Sequence, residues 1–402
     1  MRELIDPIQQ AFEKRKHAVK KVDGGTELLC VDFRGTMMEQ DIRKRTDLPQ
    51  DTTTGAYPYR FKIDNKSLDP EERAAKGLPA FDFSDSKAIL KSLGEQGSFD
   101  MPLWILRKAG RPLRDILQFD LALTFQSKGC NLHDWTDEGG CTYCFVDAQS
   151  NNPTSPGNQV WLRPEYVIKT ALELRGEKAA VRKGREVHRI RHSGGEPTTE
   201  LDFTLGMVRQ IEKDRIEDLY VTFDTNLSTG EFVDEMINAG IYERDILEQL
   251  AAHKVCVYAA FKGCSDVNIQ RNTQARLTVD DQLYMFEKLV NSGLDVYPCI
   301  YNPEGSSFYA FLDKLNDNVV NATKRLRVEP IKWDYGPTKC RLQAIANSEG
   351  VTFEEIENRY REEEARNYKR SENIMKLYFE IHFPGVEYKQ FDRTQVRIGR
   401  RA

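Results

Sequence analysis

The sequence predicts an α/β fold with a largely parallel sheet, and three observations support this fold class. Strand-like and helix-like segments alternate from residue 117 onward, which is the pattern of parallel strands with helices outside them. Six strand candidates are too few for a full (βα)8 barrel, so they form either an open barrel or a doubly wound sheet. The chain has 402 residues, of which 40% are hydrophobic, and can therefore bury a large core.

The first 112 residues are predicted to be an N-terminal extension with modest α+β structure. Residues 6–22 have loose apolar spacing and many charges, which predicts a surface helix. The segment 25–65 is strand-like and irregular, and a short helix is predicted at Asp85–Leu93. Residues 101–113, MPLWILRKAGRPL, are apolar and then break at Gly-Arg-Pro. This part of the sequence carries no recognisable chemical motif.

The six predicted strands lie at 117–125, 187–194, 219–226, 255–263, 294–301 and 324–331. The helices predicted between them lie at 163–176, 198–214, 279–293 and 307–317, with two helical segments, EFVDEMINAG and YERDILEQLAAH, within 231–253. Pro164 is near the first turn of the first of these helices and Gly176 is at its end, as helix boundaries favour. A long charged helix is predicted at Phe353–Phe379. We therefore predict three segments: an N-terminal extension (1–112), an α/β core (113–335) and a C-terminal helical segment (336–402).

Composition and charge are those of an ordinary, mildly acidic protein. Charged residues make up 30% of the chain, the net charge is −5 and the pI is about 5.9, without the basic excess that is usual in a nucleic-acid binder. The N-terminal residues are charged throughout, so no signal peptide is expected, and no stretch has the apolar length of a transmembrane helix. Eight scattered cysteines do not form a disulfide framework. We therefore expect a cytoplasmic location, with clustered thiols as ligands and no membrane or nucleic-acid partner.

The stretch 126–149, QSKGCNLHDWTDEGGCTYCFVDAQ, contains three cysteines at the spacing Cys-x10-Cys-x2-Cys. Cys141 and Cys144 have chelate spacing, and Cys130 adds a third thiolate. A structural zinc site uses four ligands, whereas a set of three leaves one coordination position open for catalysis. His133 lies between the cysteines, so a Cys3His zinc site is the alternative interpretation.

Polar residues follow the other predicted strands, at the edge of the sheet where ligands bind in such folds. They are Ser193-Gly194-Gly195-Glu196-Pro197, Asp224-Thr225-Asn226, Lys262-Gly263, and Arg327 with Glu329. Asp224 is predicted to be either a ligand-facing acid or a helix cap. Arg327 and Glu329 share one face of the last strand, so they either point inward to a charged substrate group or pair with each other.

A three-cysteine loop after the first strand, Gly-Gly-Glu-Pro after the second and Thr-Asn after the third resemble the radical S-adenosylmethionine (SAM) enzymes over residues 117–335. The interval after Cys130 is longer than in the commonest family pattern, Cys-x3-Cys-x2-Cys, whereas the aromatic Tyr143 before the last cysteine is retained. The resemblance implies an open (βα)6 partial TIM barrel of radical SAM type, with an N-terminal α+β extension and a C-terminal helical segment.

The resemblance also implies the cofactors and their ligands. Cys130, Cys141 and Cys144 would hold a [4Fe–4S] cluster, whose remaining iron binds the amino and carboxylate groups of SAM. The residues that would bind SAM are Gly194, Gly195, Glu196, Asp224, Thr225, Asn226 and Lys262. The Phe-Lys-Gly that contains Lys262 is similar to the Asp-x-Lys-Gly segment of activating enzymes for glycyl-radical proteins, although Ala260 stands at the aspartate position.

The implied activity is reductive cleavage of SAM to a 5′-deoxyadenosyl radical, which abstracts hydrogen from a substrate. The substrate is a small molecule, a peptide or a glycyl-radical protein, and a flavodoxin or ferredoxin is the expected electron donor. The alternatives are a radical SAM enzyme that modifies RNA or a nucleobase, and a non-catalytic iron–sulfur or zinc protein. Cys264, Cys299 and Cys340 follow later strands and either bind a second cluster or serve as packing residues.

Overall fold

A computed structural model describes residues 3–44, 47–63, 65–95, 101–135, 139–175 and 184–399 of the chain. Within these ranges no helix has both the length and the apolar character needed to cross a membrane. The strands form a seven-stranded sheet, which carries the six predicted units, and a three-stranded sheet.

The strands of the described residues are β1 (Val19–Val22), β2 (Gly25–Val31), β3 (Tyr59–Ile63), β4 (Leu121–Gln126), β5 (Gln159–Leu162), β6 (Arg189–Ser193), β7 (Tyr220–Thr225), β8 (Cys256–Phe261), β9 (Asp295–Tyr301) and β10 (Arg327–Glu329). Their helices are α1 (Pro7–Ala18), α2 (Met38–Arg43), α3 (Pro70–Ala75), α4 (Ser86–Glu95), α5 (Met101–Lys108), α6 (Ile116–Phe119), α7 (Ala148–Asn151), α8 (Pro164–Leu174), α9 (Leu201–Lys213), α10 (Gly230–Asn238), α11 (Ile246–Ala252), α12 (Asp266–Thr273), α13 (Val279–Asn291), α14 (Gly305–Asn318), α15 (Ala322–Arg325), α16 (Gly336–Glu349) and α17 (Phe353–His382).

The larger sheet has the strand order β3-β4-β6-β7-β8-β9-β10. From β4 to β10 every neighbouring pair is parallel and follows chain order. This pairing is possible because helices between the strands return the chain to the starting edge of the sheet. The six parallel strands confirm the predicted (βα)6 arrangement, and β3 adds a seventh strand, antiparallel to β4.

Alternate residues of each parallel strand face two different environments. One set, which includes Phe125 and Val257, packs against the outer helices in the main hydrophobic core. The other set, which includes Tyr258 and Cys299, faces the barrel interior and packs with residues of α4, α5 and α6. The interior face therefore carries the side chains that are placed to contact a molecule bound inside the barrel.

Helix α5 closes the N-terminal end of the barrel. Trp104 donates from Nε1 to Asp295 Oδ2 at 2.6 Å, and its ring meets Tyr220 edge-on at a centroid distance of 5.7 Å. Met101 Sδ lies 3.2 Å from Cys256 Sγ. The three partner residues are the first residues of β9, β7 and β8. We therefore call α5 the apolar plug.

The N-terminal helix differs from its prediction in extent and in the burial of one face. The carboxylate of Asp6 caps α1, and the helix ends at Ala18 because residues 19–22 form β1, which pairs with β2. The helix predicted over 6–22 was therefore too long, since its last residues include two β-branched valines that favour a strand. The helix lies at the surface as predicted, with Gln9 and Lys16 exposed, but Lys14 on its other face is buried against the barrel.

Smaller differences occur where short elements lie between the predicted ones. The strand predicted at 117–125 is β4, which begins only after the short helix α6, whereas the two helical segments predicted within 231–253 correspond to α10 and α11. Helix α12 was not predicted, and α16 was predicted only as part of the helical segment 336–402, because their buried positions include Asn272 and Arg341 in place of a continuous apolar stripe. Gly176 lies outside the described residues. The boundaries of the three predicted segments stay a prediction.

Candidate active site

The cysteine loop, residues 127–147, begins directly after β4 and is held by hydrogen bonds to other segments. Cys130 N donates to a carbonyl of α7 at 3.1 Å, and Thr142 N donates to a carbonyl of α12 at 3.0 Å. Within the Cys-x2-Cys turn, Cys144 N donates to Cys141 O at 3.0 Å. These bonds hold the loop at the C-terminal ends of the parallel strands.

The three thiols of the loop are partly buried, and Cys141 and Cys144 are close enough to Cys130 to act on its pKa. Burial, and then the neighbouring thiols, raise the pKa of Cys130 to about 12. Burial also raises the pKa of Cys141, although the positive charge of Lys262 opposes this shift. Thiols of this kind remain protonated until a metal centre displaces the proton. Three such donors beside a basic side chain fit an iron–sulfur cluster that has one iron without a protein ligand.

His133 makes contacts within the cysteine loop. Its Nδ1 accepts a hydrogen bond from Trp135 N at 2.9 Å. Its ring fills the space beside Gly140, where a Cβ would lie 2.8 Å from His133 Cδ2. Across the described ranges, no group of three or more His, Cys, Asp or Glu side chains is arranged to hold a single metal ion. The described residues therefore give no support to the Cys3His alternative.

The Gly194-Gly195 turn approaches the cysteine loop more closely than a side chain would allow. Both residues have positive φ angles, 71° and 58°, which glycine adopts without strain. A Cβ on Gly195 would lie 2.3 Å from Gly129 O, and a Cβ on Gly194 would lie 2.0 Å from Gln126 Cγ. Ser127 Oγ donates to Gly194 O at 3.1 Å. The glycine pair therefore joins the end of β6 to the cysteine loop.

Glu196 is fully buried, and both of its carboxylate oxygens accept hydrogen bonds from the protein. Thr198 Oγ1 donates to Oε1 at 2.5 Å, and Asn226 N donates to Oε2 at 2.7 Å. Burial raises the pKa of Glu196, and these hydrogen bonds oppose the shift. The carboxylate thus ties the end of β6 to the end of β7. Its binding of the SAM amino group stays a prediction.

Asn226 connects the end of β7 to two other segments of the site. Its Nδ2 donates to Asn131 Oδ1 in the cysteine loop at 2.9 Å. Its carbonyl accepts from Gln282 Nε2 on α13 at 2.7 Å. The preceding Thr225 turns its hydroxyl toward its own loop, where Oγ1 accepts from Leu227 N at 3.0 Å. The predicted residues that follow β4, β6 and β7 are therefore joined in one hydrogen-bonded assembly.

Asp224 faces the barrel interior and pairs with residues of the neighbouring strand β6. Arg191 approaches it with a nitrogen–oxygen distance of 2.8 Å, and Ser193 Oγ donates to Asp224 Oδ2 at 2.6 Å. The alternative of a helix cap was wrong, because α10 begins at Gly230 with Thr229 before it. Binding of SAM by Asp224 and Thr225 stays a prediction.

Lys262 lies beside two aromatic rings at the mouth of the barrel. Its Nζ is 5.8 Å from the ring centroid of Tyr143 and 5.6 Å from that of Tyr301, and the two rings stack at 5.4 Å. Burial lowers the pKa of Lys262, but the neighbouring thiols, with Cys141 foremost, outweigh burial and raise it. The structure therefore places a positive charge beside the thiols, and the contact of Lys262 with SAM stays a prediction.

Lys14 of α1 belongs to this site and was missed by the sequence analysis. It is fully buried, and its Nζ lies 2.5 Å from Glu200 Oε1. The same nitrogen donates to Glu196 O at 2.9 Å and to Thr199 Oγ1 at 2.8 Å. The sequence held one indication that the face of α1 with Lys14 packs closely against another segment. Lys14 shares this face with two alanines, whose small side chains allow a close approach. The N-terminal helix thus holds the backbone that follows Gly195.

Helix α16 supports the cysteine loop from the C-terminal part of the chain. Arg341 donates to the carbonyls of Cys144 and Val146, each at 2.7 Å. Thr338 Oγ1 donates to the same Cys144 carbonyl at 3.2 Å. These contacts left no signal in the sequence, because an arginine that binds backbone carbonyls looks like any helical arginine.

The structure separates the other cysteines that the sequence placed near strand ends. Cys299 faces the barrel interior, Cys264 lies in the main core, and Cys340 is exposed on α16. The described residues therefore do not support a second cluster bound by these three. Cys30 and Cys256 are buried.

Comparison with protein families gives one match to this chain. A family model described as the radical SAM superfamily matches residues 126–326, which is half of the 402 residues. The matched range contains all three cysteines of the loop, the Gly194-Gly195-Glu196 turn and Lys262.

Two solved structures align with part of this chain at low similarity. Both are of the cobalamin-dependent S-adenosylmethionine radical enzyme OxsB, one with aqua-cobalamin and S-adenosylmethionine bound and one with aqua-cobalamin bound. Each is 14% identical to this chain, with a TM-score of 0.38, and the alignment covers 60% of this chain and 38% of that one. This chain therefore spans less than half the length of those structures. No curated protein matches it.

Proposed function

The chain belongs to the radical SAM superfamily and is an enzyme, and from this premise we propose that it cleaves SAM reductively to abstract hydrogen from a substrate. One observation carries the proposal. Three mutually close thiols lie in a loop that hydrogen bonds connect directly to the ends of β6 and β7. The metal ligands and the predicted SAM-binding residues thus belong to one assembly at one end of the barrel.

In this proposal Cys130, Cys141 and Cys144 hold a [4Fe–4S] cluster. When bound, the cluster and SAM supply a one-electron cleavage of the S–C5′ bond and a 5′-deoxyadenosyl radical. Lys262 lies beside Tyr143 of the cysteine loop and offsets the negative charge that the thiolates carry when they bind the cluster. Asn151 Nδ2, 3.8 Å from Cys144 Sγ, donates a weak hydrogen bond to that ligand and so adjusts its electron density.

The turn after β6 is proposed to bind the methionine part of SAM. Gly194 and Gly195 have positive φ angles, which give this turn its backbone shape beside the cysteine loop. Glu196 and Asn226 keep the turn in shape through the hydrogen bond between them. The apolar plug closes the far end of the barrel, which limits the access of water to a reactive species. A flavodoxin or ferredoxin is the proposed electron donor, and the substrate is a small molecule, a peptide or a glycyl-radical protein.

Anaerobic reconstitution followed by iron and sulfide analysis tests the cluster. The wild-type chain should bind about four irons, and Cys130→Ala should lose them together. Cys340→Ala is the matched control, because Cys340 is an exposed cysteine outside the loop, and it should retain the iron. After reduction, the wild-type protein should convert SAM to 5′-deoxyadenosine and methionine, and Cys130→Ala should not.

Two results would contradict the proposal. Stoichiometric zinc without iron would assign the thiols to a structural site. An intact cluster that forms no 5′-deoxyadenosine from SAM after reduction would leave a protein that binds a cluster without this chemistry.

A further inference from the structure

The ten residues between the first two cysteines of the loop, 131–140, fold back on themselves. A Cβ on Gly139 would lie 1.9 Å from Asp134 Oδ1, and a Cβ on Gly140 would lie 3.0 Å from Leu132 O. Side chains would not fit at these two positions, so the glycines allow the close approach. The interval is therefore shaped by its own contacts and is more than a spacer between two ligands.

Trp135, within this interval, has a backbone conformation that is unusual for a large side chain. Its φ angle is 62°, in the left-handed region that few residues other than glycine adopt. Two hydrogen bonds hold it there: Trp135 N donates to His133 Nδ1 at 2.9 Å, and Asn152 Nδ2 donates to Trp135 O at 3.3 Å. Strained backbone persists only where the surrounding contacts hold it, and it is concentrated at functional sites.

The side chain of Trp135 contacts a cluster ligand on one side and a surface residue on the other. Its Nε1 donates to Cys130 O at 3.2 Å. Its ring meets the ring of His17 on α1 edge-on, at a centroid distance of 6.3 Å. The side chain of His17 is 37% exposed, and Trp135 itself is partly exposed. The indole ring therefore lies between Cys130 and solvent.

The other two cysteines of the loop are supported by different parts of the chain. Helix α16 binds the Cys144 carbonyl, and helix α12 binds the backbone beside Cys141. The carbonyl of Cys130 is instead bound by the indole of Trp135, which belongs to the loop itself. A change of Trp135 should therefore open the side of the loop at Cys130 and leave the supports of the other two ligands in place.

We infer that Trp135 shields the cluster from water and dissolved oxygen on the side of Cys130. This inference rests on the proposed function and adds to it a residue that controls access to the cluster. A tryptophan ring covers a large area and excludes water from the ligand beneath it. The apolar surroundings of a metal centre control both solvent access and reduction potential. The ten-residue interval thus has a role, because it places this ring beside the first ligand.

Three variants test the inference in the anaerobically reconstituted protein: Trp135→Phe retains a ring, Trp135→Leu retains apolar bulk, and Trp135→Ala removes both. In air-saturated buffer, Trp135→Ala should lose its cluster absorbance about tenfold faster than the wild type. Trp135→Leu should be intermediate, and Trp135→Phe should stay within about twofold of the wild-type rate. Trp161→Ala is the matched control, because Trp161 is a partly buried tryptophan on β5, and it should lose the cluster at the wild-type rate.

Two further measurements separate shielding from a role in folding the loop. Without oxygen or a chelator, Trp135→Ala should lose its cluster at a rate similar to that of the wild type, whereas a loosened loop would raise the anaerobic and the aerobic rates by the same factor. The reduction potential of the cluster should be more positive in Trp135→Ala than in the wild type, because water stabilises the more highly charged reduced state. Trp135→Phe should retain the wild-type potential.

The inference fails if Trp135→Ala loses its cluster in air at the wild-type rate, or if its aerobic and anaerobic rates rise by the same factor. If Trp135→Ala retains no cluster after reconstitution, the same comparison with Trp135→Leu decides the question. The samples are also analysed for iron and assayed for 5′-deoxyadenosine. A wild-type chain without iron rejects both proposals, and equal rates in all variants reject the shield alone. A shielded cluster that forms no 5′-deoxyadenosine rejects the proposed function and retains the shield.

Discussion

The two ends of the barrel are built from the same six strands but differ in almost every chemical property. At the N-terminal end, Trp104 and Met101 of the plug cover the first residues of three strands with apolar surface. At the C-terminal end, thiols, glycines, amides and Lys262 meet in a hydrogen-bonded assembly. Parallel strands all end at one edge, so the loops after them converge there and supply functional groups from many parts of the chain.

The two ends also differ in the number of chain segments that build them. The plug is one short helix, whereas the site combines three loops with α1 from the N-terminus and α16 from the C-terminal part. A change in the plug should therefore affect the free energy of unfolding alone. Changes at the site should also alter the affinity for SAM or the retention of iron. Three variants test this difference, in order of expected effect on stability.

Trp104→Ala should have the largest effect, because Trp104 is 1% exposed and fills the N-terminal end of the barrel. We expect a loss of about 4 kcal/mol in the free energy of unfolding, from lost apolar burial and the cavity left behind. The measurement is urea denaturation of the apoprotein. Trp104→Phe, which removes the hydrogen bond to Asp295 and retains a ring, should cost about 1 kcal/mol. Iron loss from folded Trp104→Phe would contradict the separation of the two ends.

Lys14→Met should lower the free energy of unfolding by about 3 kcal/mol, because it leaves Glu200 buried without its positive partner. Unlike the plug variants, it should also weaken SAM binding to the reconstituted protein by about tenfold, since Glu196 O loses the Lys14 ammonium, the charged one of its donors. The control is Lys16→Met on the same helix, whose side chain is 69% exposed. Equal SAM affinity in Lys14→Met and the wild type would limit Lys14 to a role in folding.

Arg341→Gln should have the smallest effect on stability, about 1–2 kcal/mol, because its hydrogen bonds to the Cys144 and Val146 carbonyls are lost. The variant should have a larger effect on the retention of iron. After reconstitution, Arg341→Gln should release iron to a chelator faster than the wild-type protein does. The readout is the rate of chelator-bound iron formation at equal protein concentration. Arg366→Gln, a change of the same type on an arginine that is 60% exposed, should release iron at the wild-type rate.

The strand–helix alternation and the positions of the cysteines could be predicted from the sequence because both depend on neighbouring residues. Apolar periodicity is local, and so are the spacing of Cys141 and Cys144 and the Gly194-Gly195 pair. The plug shows the limit of this approach. Residues 101–113 were recognised as apolar, but apolar character does not specify which surface a segment covers.

The sequence by itself determined the (βα)6 order, the three-thiolate loop and the turn after the second parallel strand. Only the tertiary structure decided that Lys14 holds that turn, that Arg341 supports the loop and that Asp224 pairs with Arg191. Lys14 and Arg341 each contact residues more than 180 positions away in the chain. The physical reason is that a buried charge is stable only beside a partner, and the fold alone determines which distant residue becomes that partner.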